Sequence, residues 1–262
     1  MNVWMRRIGA ALPWLVVALL SSGAVLLTKL PAAWITPYFA KATQGHVNLV
    51  EPDGSLWHGS AVLVLAAGGT GADAGTGTLL PGRIEWRTGF WPLFTGRVRM
   101  QMRQTEAMPD AVTVDATLRG ATMSAGELDV PASLLAGLGA PFNTLNLQGG
   151  VRLAWSDWRS FGKDAFGQLA VQLTDMSSSL SRVKPLGSYR VVLQAQGATA
   201  TIDLSTLKGP LLLNGHGTLG AGATAFQGTA SSTPDARDNL AGLLNLLGAP
   251  RGPGVVSLDF SH

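Results

Sequence analysis

From Arg97 to Arg119 the chain reads as two strands. Arg97, Arg99, Gln101 and Arg103 fall on one side of an extended backbone, and Val98, Met100 and Met102 on the other. The next stretch repeats the pattern, with Val112, Val114, Ala116 and Leu118 on one face and Thr113, Asp115, Thr117 and Arg119 on the opposite one. Alternation of this kind fits a strand and not a helix, and it predicts an antiparallel sheet with one wet and one buried face. The preceding segment carries the same message. Asp53-Gly54 and Thr95-Gly96 supply turn residues, while Ala61–Leu65, Arg83–Trp86 and Arg97–Met100 supply strands. The Gly68–Gly77 run between them lacks the Gly-Lys-(Ser/Thr) ending of a phosphate cradle and reads as a hairpin loop.

Composition agrees with an all-β reading. Charged residues make up 13% of the 262, about half the ~25% of an ordinary globular chain. An apolar content of 46% beside 33 glycines argues against disorder. With no cysteine, the chain has no disulfide framework, no lipoprotein anchor, no thiolate metal site and no cysteine nucleophile. The pI of 9.6 does not imply nucleic-acid binding. Beyond Arg6 and Arg7 there remain 17 basic and 16 acidic residues, with no basic stripe to neutralise a phosphate backbone.

Ile8–Thr28 is a run of 21 residues without a charge, enough at about 1.5 Å per residue to span the hydrocarbon core of a bilayer. It is longer than the apolar region of a cleaved signal peptide, and Lys29-Leu30-Pro31 is a poor lead-in to a cleavage site. Arg6 and Arg7 keep the first seven residues in the cytoplasm, and Trp34, Tyr38 and Phe39 follow the span like an interfacial belt. The expectation is a cytoplasmic tail (1–7), a transmembrane anchor (8–28) and a juxtamembrane connector (29–45) with room for a short helix, broken by Pro31 and Pro37. A periplasmic β-rich domain (46–262) completes the chain.

Two short helices are expected among the strands. Pro131–Leu138 begins with proline and stops at Gly139; Pro234–Leu247 has Thr233 as N-cap, Leu240, Leu243, Leu244 and Leu247 on one face, and Gly248 as its stop. Leu134–Pro141 and Leu243–Pro250 are identical at six of eight positions, which suggests two copies of a strands-then-helix unit, 47–141 and 143–250. An apolar residue, any residue, then glycine precedes many of the strands. Gly59, Gly96, Gly120, Gly149, Gly209 and Gly228 occupy that slot, where positive φ or a bulge is expected. The expected fold is therefore mainly β: antiparallel twisted sheets from two repeated units, two short helices and one preceding transmembrane helix.

Residues for chemistry are scarce. His46, His58, His216 and His262 show no ligand spacing, and neither a Gly-x-Ser-x-Gly elbow nor a Ser-x-x-Lys pair is present. Gly215-His216-Gly217-Thr218-Leu219-Gly220 has the glycine spacing of a dinucleotide fingerprint, but strand-like sequence follows where a helix is required. Trp155 keeps period with Val151 and Leu153 and is expected in the core. The reading is a non-enzyme without metal or cofactor.

The element Gly54-Ser55-Leu56-Trp57-His58-Gly59, the strand ending in Trp86 and Trp91-Pro92-Leu93-Phe94-Thr95-Gly96-Arg97 together resemble protein N of the type II (general) secretion pathway. Leu207-Lys208-Gly209-Pro210-Leu211 through Gly217, then Phe226-Gln227-Gly228, are similar to that family's closing elements, so the resemblance covers nearly the whole chain in order. It implies an inner-membrane, single-pass protein of the machine that exports folded proteins from the periplasm. The inner-membrane platform and the outer-membrane secretin would be its partners, and no catalytic residues come with the family. Gly54, Leu56, Trp57, Gly59, Trp86, Gly96, Gly209 and Gly228 carry the resemblance, with Trp57 expected against the core. Arg97, Arg99 and Arg103 form a candidate partner face, for which a merely solvated face is the plainer reading. A membrane-tethered β groove that handles lipid between membranes is the alternative: its apolar faces would line a trough instead of meeting each other.

Overall fold

The computed structural model describes residues 29–66, 77–139, 142–220 and 224–261. The expected span 8–28 and nearly all of the Gly68–Gly77 run lie outside these described residues. No helix among the described residues is long and apolar enough to cross a membrane.

The described strands form a single antiparallel sheet, not several. β1 (Val47–Gly54) pairs with β2 (His58–Leu65), and β2 also takes the short β3 (Thr78–Leu79) and β4 (Ile84–Thr88). Hairpins then lead through β5 (Arg97–Gln104) and β6 (Val112–Thr117) to β7 (Gly120–Met123). β8 (Gly126–Pro131) pairs with β9 (Leu147–Trp155), while β7 pairs with β10 (Trp158–Phe161). β9 and β10 share one edge of the long β11 (Asp164–Ser178), each at its own end. So the sheet continues without a break between the stretches 47–141 and 143–250. β12 (Gly187–Gly197), β13 (Thr199–Lys208), β14 (Leu211–Gly220) and β15 (Thr224–Ser232) follow as neighbours. β16 (Ala249–Gly252) pairs with β17 (Val255–Ser257), and β17 and β18 (Phe260–Ser261) both pair with β15.

Register makes the apolar face continuous. Leu128, Leu153, Val171, Val191 and Leu204 stand opposite one another across β8, β9, β11, β12 and β13. What covers this inner face changes along the sheet. At the C-terminal end, helix α3 (Arg237–Leu247) lays Leu240, Leu243 and Leu244 over Val151, Tyr189, Leu211, Ala230 and Val256, following the short helices α1 (Thr36–Ala42) and α2 (Phe142–Leu145) in the chain. At the N-terminal end Ala32, preceding α1, packs with Ala61 and Trp86, and Ile35 and Leu49 lean on the same cluster. Tyr189 is buried under α3, where its hydroxyl donates to the carbonyl of Leu211 at 3.1 Å and burial pushes the phenol's pKa up. Tyr189→Phe should therefore cost about 1 kcal/mol, read as a melting point lower by roughly 2–4 °C.

Several local expectations need correcting. Leu118 is fully exposed on the β6–β7 turn, because the hairpin reverses before the alternation would bury it. The connector does contain a short helix, α1, and Pro37 does not break it: it lies in the first turn, where no amide donor is required. Trp91–Thr95 is a 3-10 helix and not a simple turn, closed by Gly96 in the left-handed region (φ 68°). The Pro234 helix opens as a 3-10 turn, and Thr233 makes no side-chain cap. Ala132–Leu138 is likewise 3-10. Positive φ occurs at Gly96, Gly149 and Gly209 but not at Gly59, Gly120 or Gly228. Gly59 is required instead by close approach, since a Cβ there would stand 2.5 Å from the Trp86 ring.

Candidate functional site

The Leu56-Trp57-x-Gly59 element forms the tight corner between β1 and β2. Ser55 bonds back to His58, and the Leu56 carbonyl accepts from the indole nitrogen of Trp86 (3.2 Å) and the hydroxyl of Thr88 (3.0 Å). Trp57 is buried, 8% exposed, and its ring meets Phe90 edge-on at 5.2 Å. Gly54 turns the corner with φ 81°. The motif thus locks β2, β4 and the Trp91–Thr95 turn into one unit.

Between the covered ends the inner face lies open. Leu63, Leu80, Ile84, Met102, Met108, Val112, Met123, Leu128, Trp155, Trp158 and Leu169 line a trough of about 400 Å³ whose wall is almost wholly carbon. Only Leu80 and Val112 are fully buried; the others keep part of their surface exposed. Trp155 gives its indole proton to the Ser124 carbonyl at 3.0 Å, so its polar atom is satisfied before it faces the trough. Trp158 also borders a second open cavity, about 280 Å³, reaching Leu193, Ala195 and Leu219. The apolar path therefore continues across neighbouring strands, from β2 through β10 and β11 to β14.

The outer face is polar. Arg97, Arg99 and Arg103 project from β5 on this side, as does Arg87, the register partner of Gln101 on β4. Arg99 is not a free charge: its Nε donates to the Asp115 carboxylate at 2.7 Å, a bond that holds the guanidinium pKa above its usual value. Further along, Arg152 grips Asp129 through two bonds of 2.8 and 3.1 Å. Lys208 lies 2.8 Å from Asp175 and holds that carboxyl below the usual range. These pairs are solvent-exposed and contribute little to stability. Arg97 and Arg103 have no ion-pair partner among the described residues.

The sequence profile of type II secretion system (T2SS), protein N, matches residues 45–259, from the residue before His46 through β17. The chain belongs to the type II secretion system protein N family. No curated protein and no solved structure matches it. Within this protein N chain the family-like residues do not gather at one point. Gly54, Leu56, Trp57, Gly59, Trp86 and Gly96 cluster at the β1–β2 corner and the β4–β5 turn. Gly209 lies at the β13–β14 turn, where a Cβ would meet Gly187 at 2.3 Å, and Gly228 lies in β15 beside Gly215. His216 and Asp203 face each other on β14 and β13 with Nδ1 2.6 Å from the carboxylate, exposed on the sheet. Among the described residues no three histidine or acidic side chains gather as metal ligands.

The trough residues Met108, Met123, Leu128 and Leu169 were not distinguishable as a site from sequence. Met123, Leu128 and Leu169 are each one more apolar position on an alternating strand, and Met108 lies in the turn between β5 and β6. Only the absence of a covering element over these particular positions sets them apart, and that is a property of the whole topology.

Proposed function

We propose that this protein N chain is an inner-membrane-anchored component of the type II secretion system whose sheet stands in the periplasm as an assembly and interaction surface. The match over residues 45–259 carries this reading. The charge-free run Ile8–Thr28 supports the anchor, and the positive-inside rule puts the sheet on the far side of the membrane. The exposed Arg97 and Arg103, with Arg99 tied to Asp115 between them, form a face that would orient an acidic patch on a platform or secretin subunit. Strand addition has less to work with. Two of the edge strands, β1, bulged at Glu51-Pro52, and the four-residue β16 with Pro250, each carry a proline that has no amide donor to offer.

The test is retrieval of secretion components from detergent-solubilised membranes by the full chain. The Arg97/Arg99/Arg103→Ala triple variant should recover several-fold less than wild type, and the wild-type signal should fall as salt is raised. Wild type that retrieves no secretion component overturns the reading.

One observation favours a second reading, lipid handling. The trough has no hydrogen-bonding group to offer a peptide backbone, and an uncovered acyl chain needs none.

A further inference from the structure

Phe90, Trp91, Leu93 and Phe94 stand out from the sheet at the β4–β5 turn. Trp91 is 80% and Phe94 72% exposed. These rings are nevertheless ordered against each other, with centroids 5.5 Å apart for Phe90–Phe94 and 5.9 Å for Trp91–Phe94. Phe90 rests edge-on against buried Trp57, and Gly96 closes the turn in a conformation that favours glycine. The result is a preformed apolar knob with its tips in water, a feature that marks a contact surface when nothing covers it.

The place where the chain enters the sheet says what covers it. The charge-free run ends at Thr28, and the carbonyl of Leu30 accepts a hydrogen bond from the Leu56 amide at 2.8 Å. Pro31 bridges to Ser55. Trp57, the next residue after Leu56, supports Phe90. Two contacts therefore separate the end of the apolar run from the knob. If residues 8–28 cross the bilayer, its surface lies at this end of the sheet and not at the far end of β1. Trp34, also exposed, sits on the same entry segment. Arg87 and Arg97 flank the knob without ion-pair partners among the described residues, and cations there favour anionic headgroups.

We propose that the Trp91–Phe94 knob inserts into the surface of the bilayer to which the chain is tethered. It makes a second membrane contact that sets the tilt of the sheet. Tryptophan and phenylalanine beside arginine are the residues that settle at such an interface. The proposal rests on the anchored reading, so its test must report on both.

The chain has no cysteine, so single labels can be placed at will. The full chain, reconstituted in bilayers of phosphatidylethanolamine and phosphatidylglycerol, would carry a nitroxide through Phe94→Cys, Trp91→Cys, Leu118→Cys or Ala18→Cys. Collision with oxygen, which concentrates in lipid, is compared with collision with a water-soluble nickel chelate. The oxygen-to-nickel ratio at 94 and 91 should exceed that at 118 by at least about fivefold, with 18 higher still. Leu118, fully exposed on another hairpin tip, is the aqueous reference. Both knob positions are so exposed that substitution leaves the core untouched. Positions 94 and 91 as aqueous as 118, with 18 in lipid, overturn the knob proposal and leave the anchor standing. Position 18 reading aqueous removes the anchor and the proposal with it. Labels that are aqueous in the bilayer and become shielded only on adding other secretion components make the knob a protein-docking surface, which also overturns the proposal.

Discussion

Leu240→Asp should unfold the C-terminal half of the sheet. Leu240 is 0% exposed at the centre of α3, among Leu211, Ala230, Leu243, Leu244 and Val256. Leu240→Ala removes the side chain and leaves a cavity, at a cost of about 3–5 kcal/mol. Aspartate adds a carboxylate with no partner in an apolar site, so the loss should exceed about 5 kcal/mol, comparable with the whole stability of many domains. Leu246→Asp on the exposed side of the same helix is the control and should shift stability by no more than about 0.5 kcal/mol. Thermal unfolding of the full chain in detergent, followed by circular dichroism and by protease resistance of β12–β17, reads both. A Leu240→Asp chain that melts like wild type would mean that α3 does not hold this end of the sheet closed.

That helix was legible because its leucines recur at helical spacing between Pro234 and Gly248, a local signal. The strands were legible for the same kind of reason: Arg97–Arg103 alternates, and the structure alternates with it. The failures are also local in origin. Leu118 continued the alternation of Val112–Ala116, but the turn at 118–119 took it out of the sheet, and a period of two carries no information on where a strand ends. Trp91–Thr95 contains proline and aromatics in an order that suits a turn or a 3-10 helix equally, and packing of Phe90 on Trp57, 33 residues earlier, decided it. The trough was illegible for a different reason. Nothing in Met123 or Leu169 tells whether a helix lies over it. In the structure Ala132–Leu138 packs beside β2, β3 and β9, while α3 packs on β15 and β17, so the inner face between them stays open.

The open face leads to the second large effect. An α-helix about 10 Å across occupies on the order of 100 Å³ per residue, so a trough of about 400 Å³ holds less than two turns of one. An extended peptide would fit in width but would leave its amides unpaired against carbon, at a cost of about 1–3 kcal/mol for each buried group. A single acyl chain meets neither obstacle, and the continuation past Trp158 toward Leu193 and Leu219 suits a long, thin ligand. A photo-crosslinking amino acid at Leu169, in the full chain in growing cells, should then capture phospholipid, identified by mass spectrometry of the adduct. The same group at Gln172, exposed on the opposite face of β11, should capture at least about tenfold less. Leu128→Glu places a charge in the lining at a partly exposed position beside the open trough, where water can reach it, so the fold should persist while the lipid adduct at 169 falls by about tenfold or more. A protein adduct at 169 in place of lipid would assign the trough to an apolar segment of a secretion partner. Equal lipid capture at 169 and 172 would mean that the trough does not select acyl chains at all.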